Sequence, residues 1–477
     1  MSASERQTQL AVIGAGPGGY PAAFHAADLG MKVILIDRDE NPGGVCLYRG
    51  CIPSKTLLHI ARVLFESREV AEWGVTFAEP QIDLDKLRAW KDRVVSRLTG
   101  GLGSQSRRRQ VNSIQGHGRF LNNHTILVEK TDGSQEQVEF DHAIIATGSQ
   151  PAVVPGFPVG SPRVMDSTGA LLLSDVPKTL LVVGGGYIGL ELGTVYAALG
   201  SKVTVVEMAK NLLAGVDRDL AEPLERRLKQ ILAEILVETR VAQMEVKDDS
   251  VRVKLIGLDL PNPERVFDKV LVAVGRKPDS KDLGLENTGV KVNAKGFIEI
   301  DPQRRTAEPT IFAIGDVAGE PMLAHKATHE ARVAVDAIAD KPTVFEPQAI
   351  PAVVFTDPEI AWTGLTETQA LNQNVSHVVA RFPWIASGRA TTLGRNEGLT
   401  KLVLDPHTER ILGVGIVGVG AGEMIAEGTL ALEMGARAGD LKATIHAHPT
   451  MSETVMEAAE VFHGKSAHIY TPKQDRR

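Results

Sequence analysis

Residues 10–37, LAVIGAGPGGYPAAFHAADLGMKVILID, form the most informative structural pattern of this chain. An apolar run enters a glycine-rich turn, a helical segment follows, and a second apolar run ends at Asp37. This order is typical of a βαβ unit that binds a dinucleotide. Its small glycines let backbone amides at a helix N-terminus approach a pyrophosphate, and its acid accepts hydrogen bonds from a ribose. One such unit alone would be weak support for a nucleotide site.

The same unit occurs again in residues 180–207, LLVVGGGYIGLELGTVYAALGSKVTVVE. The first glycine and the closing acid are Gly14 and Asp37 in one copy and Gly184 and Glu207 in the other, at the same spacing. The glycines could instead serve only close packing of a helix on a strand, but the duplication disfavours that interpretation. The sequence therefore predicts two dinucleotide sites.

Each copy ends in an apolar run that leads to a glycine and then a proline, in residues 140–151 and 267–278. These segments are predicted to cross between domains. Another apolar run, residues 311–314, leads into Gly315-Asp316 as though the chain returned to the first nucleotide domain. From about residue 349 onward there is no glycine fingerprint, and strand-like runs alternate with helical ones.

We therefore predict an α/β protein with two Rossmann-like dinucleotide-binding domains and an α+β carboxyl-terminal domain. The predicted segments are residues 7–150 for the first nucleotide domain, 151–276 for the second, 277–348 for a return to the first, and 349–477 for the last.

Composition excludes several classes of function. The 52 basic and 59 acidic side chains leave a net charge of -7, the wrong sign for a protein that must neutralise nucleic-acid phosphates. No uncharged apolar stretch reaches the roughly 18 residues of a membrane span. The amino terminus shows no apolar signal core, which predicts a cytoplasmic protein. From the net charge and the lack of a span we expect no nucleic-acid and no membrane partner.

The only two cysteines, Cys46 and Cys51, lie in the segment GGVCLYRGCIPSK, residues 43–55. They are too few for a secreted disulfide framework, and in a reducing compartment such a pair suggests catalysis. Positions five apart on an ideal helix point about 140° apart, so a bridge between them requires an irregular turn, which Gly50 and Pro53 would suit. Two unrelated buried thiols are the alternative.

This segment resembles the redox-active motif of the pyridine nucleotide-disulfide oxidoreductases, and the resemblance covers essentially the whole chain. Residues 322–326 (MLAHK), 382–390 (FPWIASGRA) and 446–453 (HAHPTMSE) are most similar to bacterial members that oxidise dihydrolipoyl groups. The resemblance implies FAD in the first site, NAD in the second, and a homodimer joined through its carboxyl-terminal domains. It also implies a lipoyl-bearing acyltransferase or the glycine cleavage lipoyl protein as partner, and no metal.

The resemblance assigns roles to particular residues. Cys51 would lie against the flavin, and Cys46 would exchange with the substrate sulfur. Lys55 would lie near the flavin, paired with Glu191, while His448 would be the acid–base residue, oriented by Glu453. The implied FAD contacts are Gly14, Gly16, Gly19, Asp37, Gly44, Lys55, Gly118, Thr147, Gly148, Asp316 and Ala324. The implied NAD contacts are Gly184, Gly186, Tyr187, Ile188, Gly189, Glu207, Val241, Ala273, Gly275 and Arg276.

The sequence departs from the family pattern in two places. Tyr48-Arg49 stands where relatives often have Asn-Val, which leaves the contacts around the cysteines open. Tyr187 stands where many lipoyl enzymes have an aliphatic residue, and it resembles the tyrosine that covers the nicotinamide pocket of glutathione reductases.

Several alternatives remain open for these residues. His446 and His448 have the spacing of metal ligands, although no further cysteine or histidine cluster accompanies them. Residues 450–453 also read as a helix capping box, with Glu453 reaching back to a backbone amide. A glutathione or mercuric reductase fits less well, because Glu207 opposes NADP and the extra carboxyl-terminal cysteine pair of mercuric reductases is missing. A flavoprotein scaffold that binds other proteins is a third possibility.

Overall fold

The computed structural model describes residues 4–258 and 260–470. The strands of these residues are β1 (Ser4–Ile13), β2 (Val33–Asp37), β3 (Asn112–Asn122), β4 (Thr125–Lys130), β5 (Gln135–Ile145), β6 (Ser149–Pro151), β7 (Val164–Met165), β8 (Thr179–Val183), β9 (Lys202–Val206), β10 (Glu234–Leu236), β11 (Thr239–Val246), β12 (Val251–Gly257), β13 (Glu264–Phe267), β14 (Lys269–Val272), β15 (Arg276–Pro278), β16 (Ile311–Ala313), β17 (Ala352–Val354), β18 (Glu359–Gly364), β19 (Val378–Pro383), β20 (Leu399–Leu404) and β21 (Ile411–Gly418). The helices are α1 (Gly19–Asp28), α2 (Gly44–Arg49), α3 (Cys51–Glu69), α4 (Leu84–Arg108), α5 (Ser167–Leu172), α6 (Tyr187–Ala198), α7 (Arg218–Ile231), α8 (Ala324–Ile338), α9 (Glu367–Asn372), α10 (Gly388–Leu393), α11 (Ala421–Glu433), α12 (Ala438–Ala443) and α13 (Glu453–Phe462).

The first sheet is built around β1. Strands β2 and β5 flank it in parallel, β16 extends the sheet beyond β5, and the start of β3 extends it beyond β2. The rest of β3 forms an antiparallel meander with β4 and the start of β5. The residues of β1 from Leu10 to Ile13 are fully buried, as expected of a central parallel strand covered on both faces.

The second sheet repeats this plan in residues 164–272. Its parallel order is β10-β9-β8-β14-β7, and an antiparallel meander of β11, β12 and β13 accompanies it. The two segments that cross between the sheets, β6 and β15, pair with each other in antiparallel fashion. The duplicated α/β architecture expected from the two glycine fingerprints is therefore confirmed.

Residues after 349 form a third unit, an antiparallel sheet of order β17-β18-β21-β20-β19. Helix α11 packs on β18 and β21, and α13 packs on β19 and β20. We propose the division at residues 150, 276 and 348 as the domain boundaries, since the sheets group the chain in this way. In the part of the chain that the structure describes, no helix combines the length and apolarity needed to cross a bilayer.

The main core cluster joins these units and positions the cysteines. Helix α3, which begins at Cys51, packs on α6 of the second nucleotide unit. Leu57 and Leu58 of α3 share this buried cluster with Leu192 and Val195 of α6. The start of α3 is thereby held beside the glycine turn that precedes α6.

Candidate active site

The two glycine turns have the same backbone geometry. Gly14 has a φ of +96° and Gly184 a φ of +110°, in the region that favours glycine. A Cβ at Gly14 would lie 2.4 Å from the carbonyl oxygen of Ala146, and one at Gly184 would lie 2.4 Å from that of Ala273. Each turn thus passes against the end of a neighbouring strand where no side chain fits.

The later glycines of each turn divide into packing and open positions. A Cβ at Gly19 would lie 1.7 Å from the Gly14 oxygen, and one at Gly189 would lie 2.2 Å from the Gly184 oxygen, so close packing explains these two. A Cβ at Gly16 would find its nearest atom 3.9 Å away, and one at Gly186 would find none within 4 Å. Packing does not explain these positions, whereas the approach of a diphosphate to the backbone does.

The acids that close the two units also match. The Asp37 carboxylate accepts backbone N–H bonds from Ala15 at 2.5 Å and Asp39 at 2.8 Å. Glu207 accepts equivalent bonds from Gly185 and Ala209, both at 2.7 Å. Burial raises the pKa of the Asp37 carboxyl, although these N–H bonds oppose the shift. Each acid is therefore fixed beside its glycine turn.

A cavity of about 300 Å³ extends from the first glycine turn to the cysteines and to the start of α6. It is lined by most of the residues that the resemblance assigns to FAD and to redox chemistry, and by three that it assigns to NAD. These lining residues are Gly14, Gly16, Asp37, Gly44, Cys46, Cys51, Lys55, Gly118, Thr147, Gly148, Tyr187, Ile188, Glu191, Arg276, Asp316 and Ala324. The chain thus brings the first dinucleotide turn and the cysteine pair into one space.

The two cysteines lie in different helices. Cys46 is in α2 and Cys51 is the first residue of α3, and Gly50 breaks the helix between them with φ −145° and ψ −112°. This break leaves the two side chains beside each other, close enough for hydrogen bonding between the thiols to bear on the acidity of both. The pair is therefore placed for exchange between two sulfur atoms.

The two thiols differ strongly in acidity. The hydrogen bond from Cys46 and the ammonium group of Lys55 lower the pKa of Cys51 to about 7, against the effect of burial. The same hydrogen bond, burial and the nearby Cys51 charge raise the pKa of Cys46. As the pH rises through about 7, the reduced pair therefore gains a thiolate at Cys51 while Cys46 stays a thiol.

Lys55 is held by a buried carboxylate of the second nucleotide unit. Its Nζ lies 2.8 Å from Oε2 of Glu191, a residue of α6. Oε1 of Glu191 accepts the backbone N–H of Phe355 at 2.9 Å, and the Phe355 ring lies 4.5 Å from Nζ of Lys55. All three units of the chain therefore meet at this lysine.

Asp316 is fixed by residues of the crossing segments. Ser149 of β6 donates to Oδ2 of Asp316 at 2.5 Å, and Arg276 of β15 donates to the Ser149 hydroxyl at 2.7 Å. Tyr187 lines the same part of the cavity, and burial raises the pKa of its hydroxyl. The residue is 41% exposed, at the start of the helix that follows the second glycine turn.

His448 and Glu453 form a pair away from this cavity. Nδ1 of His448 lies 2.9 Å from Oε1 of Glu453, and the histidine side chain is 77% exposed. Oε2 of Glu453 accepts the backbone N–H of Thr450 at 2.7 Å. Burial would raise the pKa of Glu453, but the bonds from Thr450 and His448 outweigh it and hold that pKa below its ordinary value.

The structure bears out the capping box of residues 450–453 only in part, and it does not bring His446 and His448 together as a metal site would require. Glu453 does reach back to Thr450, but Ser452 is the N-cap of α13, and the Thr450 hydroxyl donates to Ala447 instead of accepting from the helix. The carboxylate serves a backbone amide and His448 together. His446 turns to Glu427, at 2.7 Å, and does not join His448.

The described residues contain one acidic cluster with metal-ligand spacing, formed by Asp217, Asp219 and Glu367. The ammonium of the buried Lys401 contacts all three carboxylates, at 2.7–3.1 Å. The cluster is an ion-pair network between α7 and the third unit.

Other predicted contacts lie outside the cavity around the cysteines. The second glycine turn is formed by Gly184, Gly186 and Gly189, and it lies beside Glu207 and the segment from Ala273 to Gly275. Val241 packs with buried residues of the second sheet. The sequence alone did not point to Ser149 or Phe355. Ser149 directly follows Thr147 and Gly148, two of the implied FAD contacts, and this position could have marked it as a site residue. No motif or spacing in the sequence marks Phe355.

Comparison with known proteins places the chain in a family. Residues 8–331 match the model described as pyridine nucleotide-disulphide oxidoreductase, and residues 350–459 match the dimerisation domain of the same family. The chain is 47% identical to a dihydrolipoyl dehydrogenase of Vibrio parahaemolyticus over 96% of both chains. It is 46% identical to a dihydrolipoyl dehydrogenase of Vibrio cholerae over 99% of both.

Solved structures agree with this placement. The Cu(II) complex of the HOCl-induced flavoprotein disulfide reductase RclA from Escherichia coli has a TM-score of 0.85 and 29% identity, covering 95% of this chain and 99% of that one. LpdA from Mycobacterium tuberculosis has a TM-score of 0.88 and 26% identity, with the same coverage.

These matches extend over both nucleotide units and the third unit. The third unit is a dimerisation domain, which supports a homodimer. The cofactors are FAD and NAD, and the open glycine positions at Gly16 and Gly186 fit two dinucleotides. The chain thus belongs to the pyridine nucleotide-disulphide oxidoreductase family.

Proposed function

We propose that this chain works as a dihydrolipoyl dehydrogenase, which oxidises protein-bound dihydrolipoamide to lipoamide and reduces NAD to NADH. The observation that carries the proposal is the asymmetric pair Cys46 and Cys51 in the cavity of the first glycine turn. Near-full-length similarity to enzymes named dihydrolipoyl dehydrogenase supports this substrate over others.

The difference in acidity sets the direction of exchange at the cysteines. In the oxidised enzyme a substrate thiolate attacks the sulfur of Cys46, and the Cys46–Cys51 bond breaks. Cys51 leaves, because the thiol of lower pKa is the better leaving group. The second substrate thiolate then attacks the mixed disulfide, which releases lipoamide. The thiolate of Cys46 takes up a proton, in keeping with its raised pKa.

Lys55 and Glu191 serve the Cys51 thiolate. The ammonium of Lys55 stabilises the negative charge on Cys51, and the buried Glu191 keeps that ammonium in place. Gly14, Gly16, Asp37 and Asp316 would hold FAD, which would supply two-electron transfer from the dithiol to NAD. The remaining task for the protein is to move the substrate protons.

His448 is the proposed base. Its Nδ1 faces Glu453, so the other ring nitrogen is left to accept the proton of a substrate thiol. Residues that line the cysteine cavity of the described chain extend no further than Ala327. The exposed His448 therefore suits the cavity of a second subunit, in keeping with its place in the dimerisation domain.

The proposed partner is a lipoyl-bearing protein, either the acyltransferase of a 2-oxoacid dehydrogenase complex or the glycine cleavage lipoyl protein. For the second cofactor we propose NAD over NADP, since a 2′-phosphate beside Glu207 would bring like charges together. Tyr187 is a proposed cover for the nicotinamide part of that site, given its exposed ring beside Cys51 and Glu191.

A turnover assay tests the proposed function. The purified protein is offered dihydrolipoamide with NAD, and in parallel glutathione disulfide with NADPH. We expect NADH formation in the first reaction and little NADPH consumption in the second. Turnover of glutathione disulfide alone would indicate another member of the family. Bound FAD without turnover in either reaction would favour a protein-binding scaffold.

A further inference from the structure

The two residues by which the redox segment departs from its relatives attach α2 to the loop after Asp37. The Tyr48 hydroxyl donates to the backbone carbonyl of Asn41 at 3.1 Å. Nη1 and Nη2 of Arg49 donate to the two carboxylate oxygens of Asp39 at 3.2 and 2.5 Å. The helix that carries Cys46 is thus tied to the loop that follows the acid of the first nucleotide site.

Arg49 and Asp39 also belong to the cavity itself. Both residues line it together with Gly16 and Asp37. The backbone N–H of Asp39 donates to Oδ1 of Asp37, the proposed ribose acid, at 2.8 Å. Arg49 is therefore connected to Asp37 through the residue whose carboxylate it binds. The Arg49 side chain lines this space and is 39% exposed, and an ion pair of that exposure adds little to folding.

The charges of this region require a cation once a dinucleotide is present. Asp37 and Asp39 place two carboxylates beside the glycine turn, and a diphosphate adds two further negative charges. The amides of the turn offset only part of this charge. A guanidinium donates two parallel hydrogen bonds to phosphate oxygens, which makes it the side chain best suited to balance the remaining negative charge.

We propose that Arg49 is an FAD-binding residue, which neutralises the diphosphate and ribose region of FAD against Asp37 and Asp39. In this role it joins the helix of the redox pair to the cofactor, so that FAD binding positions the cysteines. The proposal rests on the use of FAD by the chain and not on the identity of the disulfide substrate.

The rate of FAD release from the holoenzyme tests this role. Free FAD is followed by its fluorescence after dilution of the wild type, Arg49→Met, Arg49→Lys and Asp39→Asn, at low and high ionic strength. Arg62→Met is the matched control, because it removes the same charge from an exposed helical pair with Glu66 outside the cavity.

We expect Arg49→Met to release FAD about tenfold faster than the wild type, with the difference shrinking at high salt. Arg49→Lys should restore part of the retention, and Arg62→Met should match the wild type. Asp39→Asn should release FAD no faster than the wild type, because it removes a negative charge and frees the guanidinium.

Two results would overturn the proposal. Equal release rates for Arg49→Met and the wild type would show that the guanidinium does not serve FAD. Equally fast release from Arg49→Met and Asp39→Asn would show that Arg49 acts only through its ion pair, as a structural tie. A wild type that retains no FAD would contradict the cofactor assignment itself, and this outcome is distinguishable from the other two.

Discussion

Nζ of Lys55 lies 2.8 Å from the buried carboxylate of Glu191, and the same ammonium lowers the pKa of Cys51. Replacing Lys55 with Met removes this charge, so the pKa of Cys51 should rise. The long-wavelength absorbance between the Cys51 thiolate and FAD should then appear at a higher pH than in the wild type, for which we expect a midpoint of about pH 7. A titration of the reduced enzymes measures this midpoint.

The Lys55→Met variant also leaves Glu191 buried without its partner, so we expect a stability loss of about 1–3 kcal/mol. The double variant Lys55→Met, Glu191→Gln controls for this effect. It should recover stability while the thiolate midpoint stays raised. An unchanged midpoint in both variants would contradict the role of Lys55.

The two cysteines should give different spectra when each is replaced by Ser. Cys46→Ser and Cys51→Ser should both lose dihydrolipoamide turnover and keep FAD, because the glycine turn and Asp37 hold the dinucleotide. Only Cys46→Ser should keep the long-wavelength band, since it retains the thiol of low pKa. A band in Cys51→Ser alone would reverse the assignment of the two thiols.

Two glycines of the second turn form a matched pair. Gly186→Ala adds a methyl group to open space in ordinary backbone, so the protein should keep its stability while NAD binding weakens about tenfold or more. Gly189→Ala brings a methyl group to 2.2 Å from the Gly184 oxygen and should cost about 1–3 kcal/mol of stability. Thermal melts and steady-state NAD kinetics separate the two effects. Unweakened NAD binding in a stable Gly186→Ala would disprove the proposed diphosphate contact.

Glu207 offers a test of cofactor choice. Both of its carboxylate oxygens accept backbone N–H bonds, which fixes the charge where the ribose is proposed to bind. We expect the kcat/KM for NAD to exceed that for NADP in the wild type, and the ratio to fall in Glu207→Ala. Equal use of both cofactors by the wild type would refute the assignment.

Local sequence predicted the nucleotide units well because their determinants are local. The turn at Gly14 needs a positive φ and an absent Cβ, and both requirements are visible in the glycine spacing. The first strand extends back to Ser4, ahead of the predicted start at Leu10. Its polar residues pair with β5 and carry no apolar signal.

The contacts around the cysteines depend on distant parts of the chain and were harder to predict. Phe355 bonds to Glu191 across 164 positions, and Ser149 bonds to Asp316 across 167. No periodicity or motif records such pairings. The break at Gly50 was expected from its residue type, but the fixed positions of Tyr48 and Arg49 required the three-dimensional contacts with Asn41 and Asp39.

The proposed active site combines the cysteines of one subunit with His448 of the other. Co-expression of Cys46→Ser with His448→Ala chains, each inactive alone, yields mixed dimers that can be isolated with two different tags. In a mixed dimer one site carries both defects and the other carries neither, so random pairing should restore about a quarter of all sites. Isolated mixed dimers should show about half the activity of the wild type per dimer. Mixed dimers that bind FAD in both subunits and yet stay inactive would contradict the shared site.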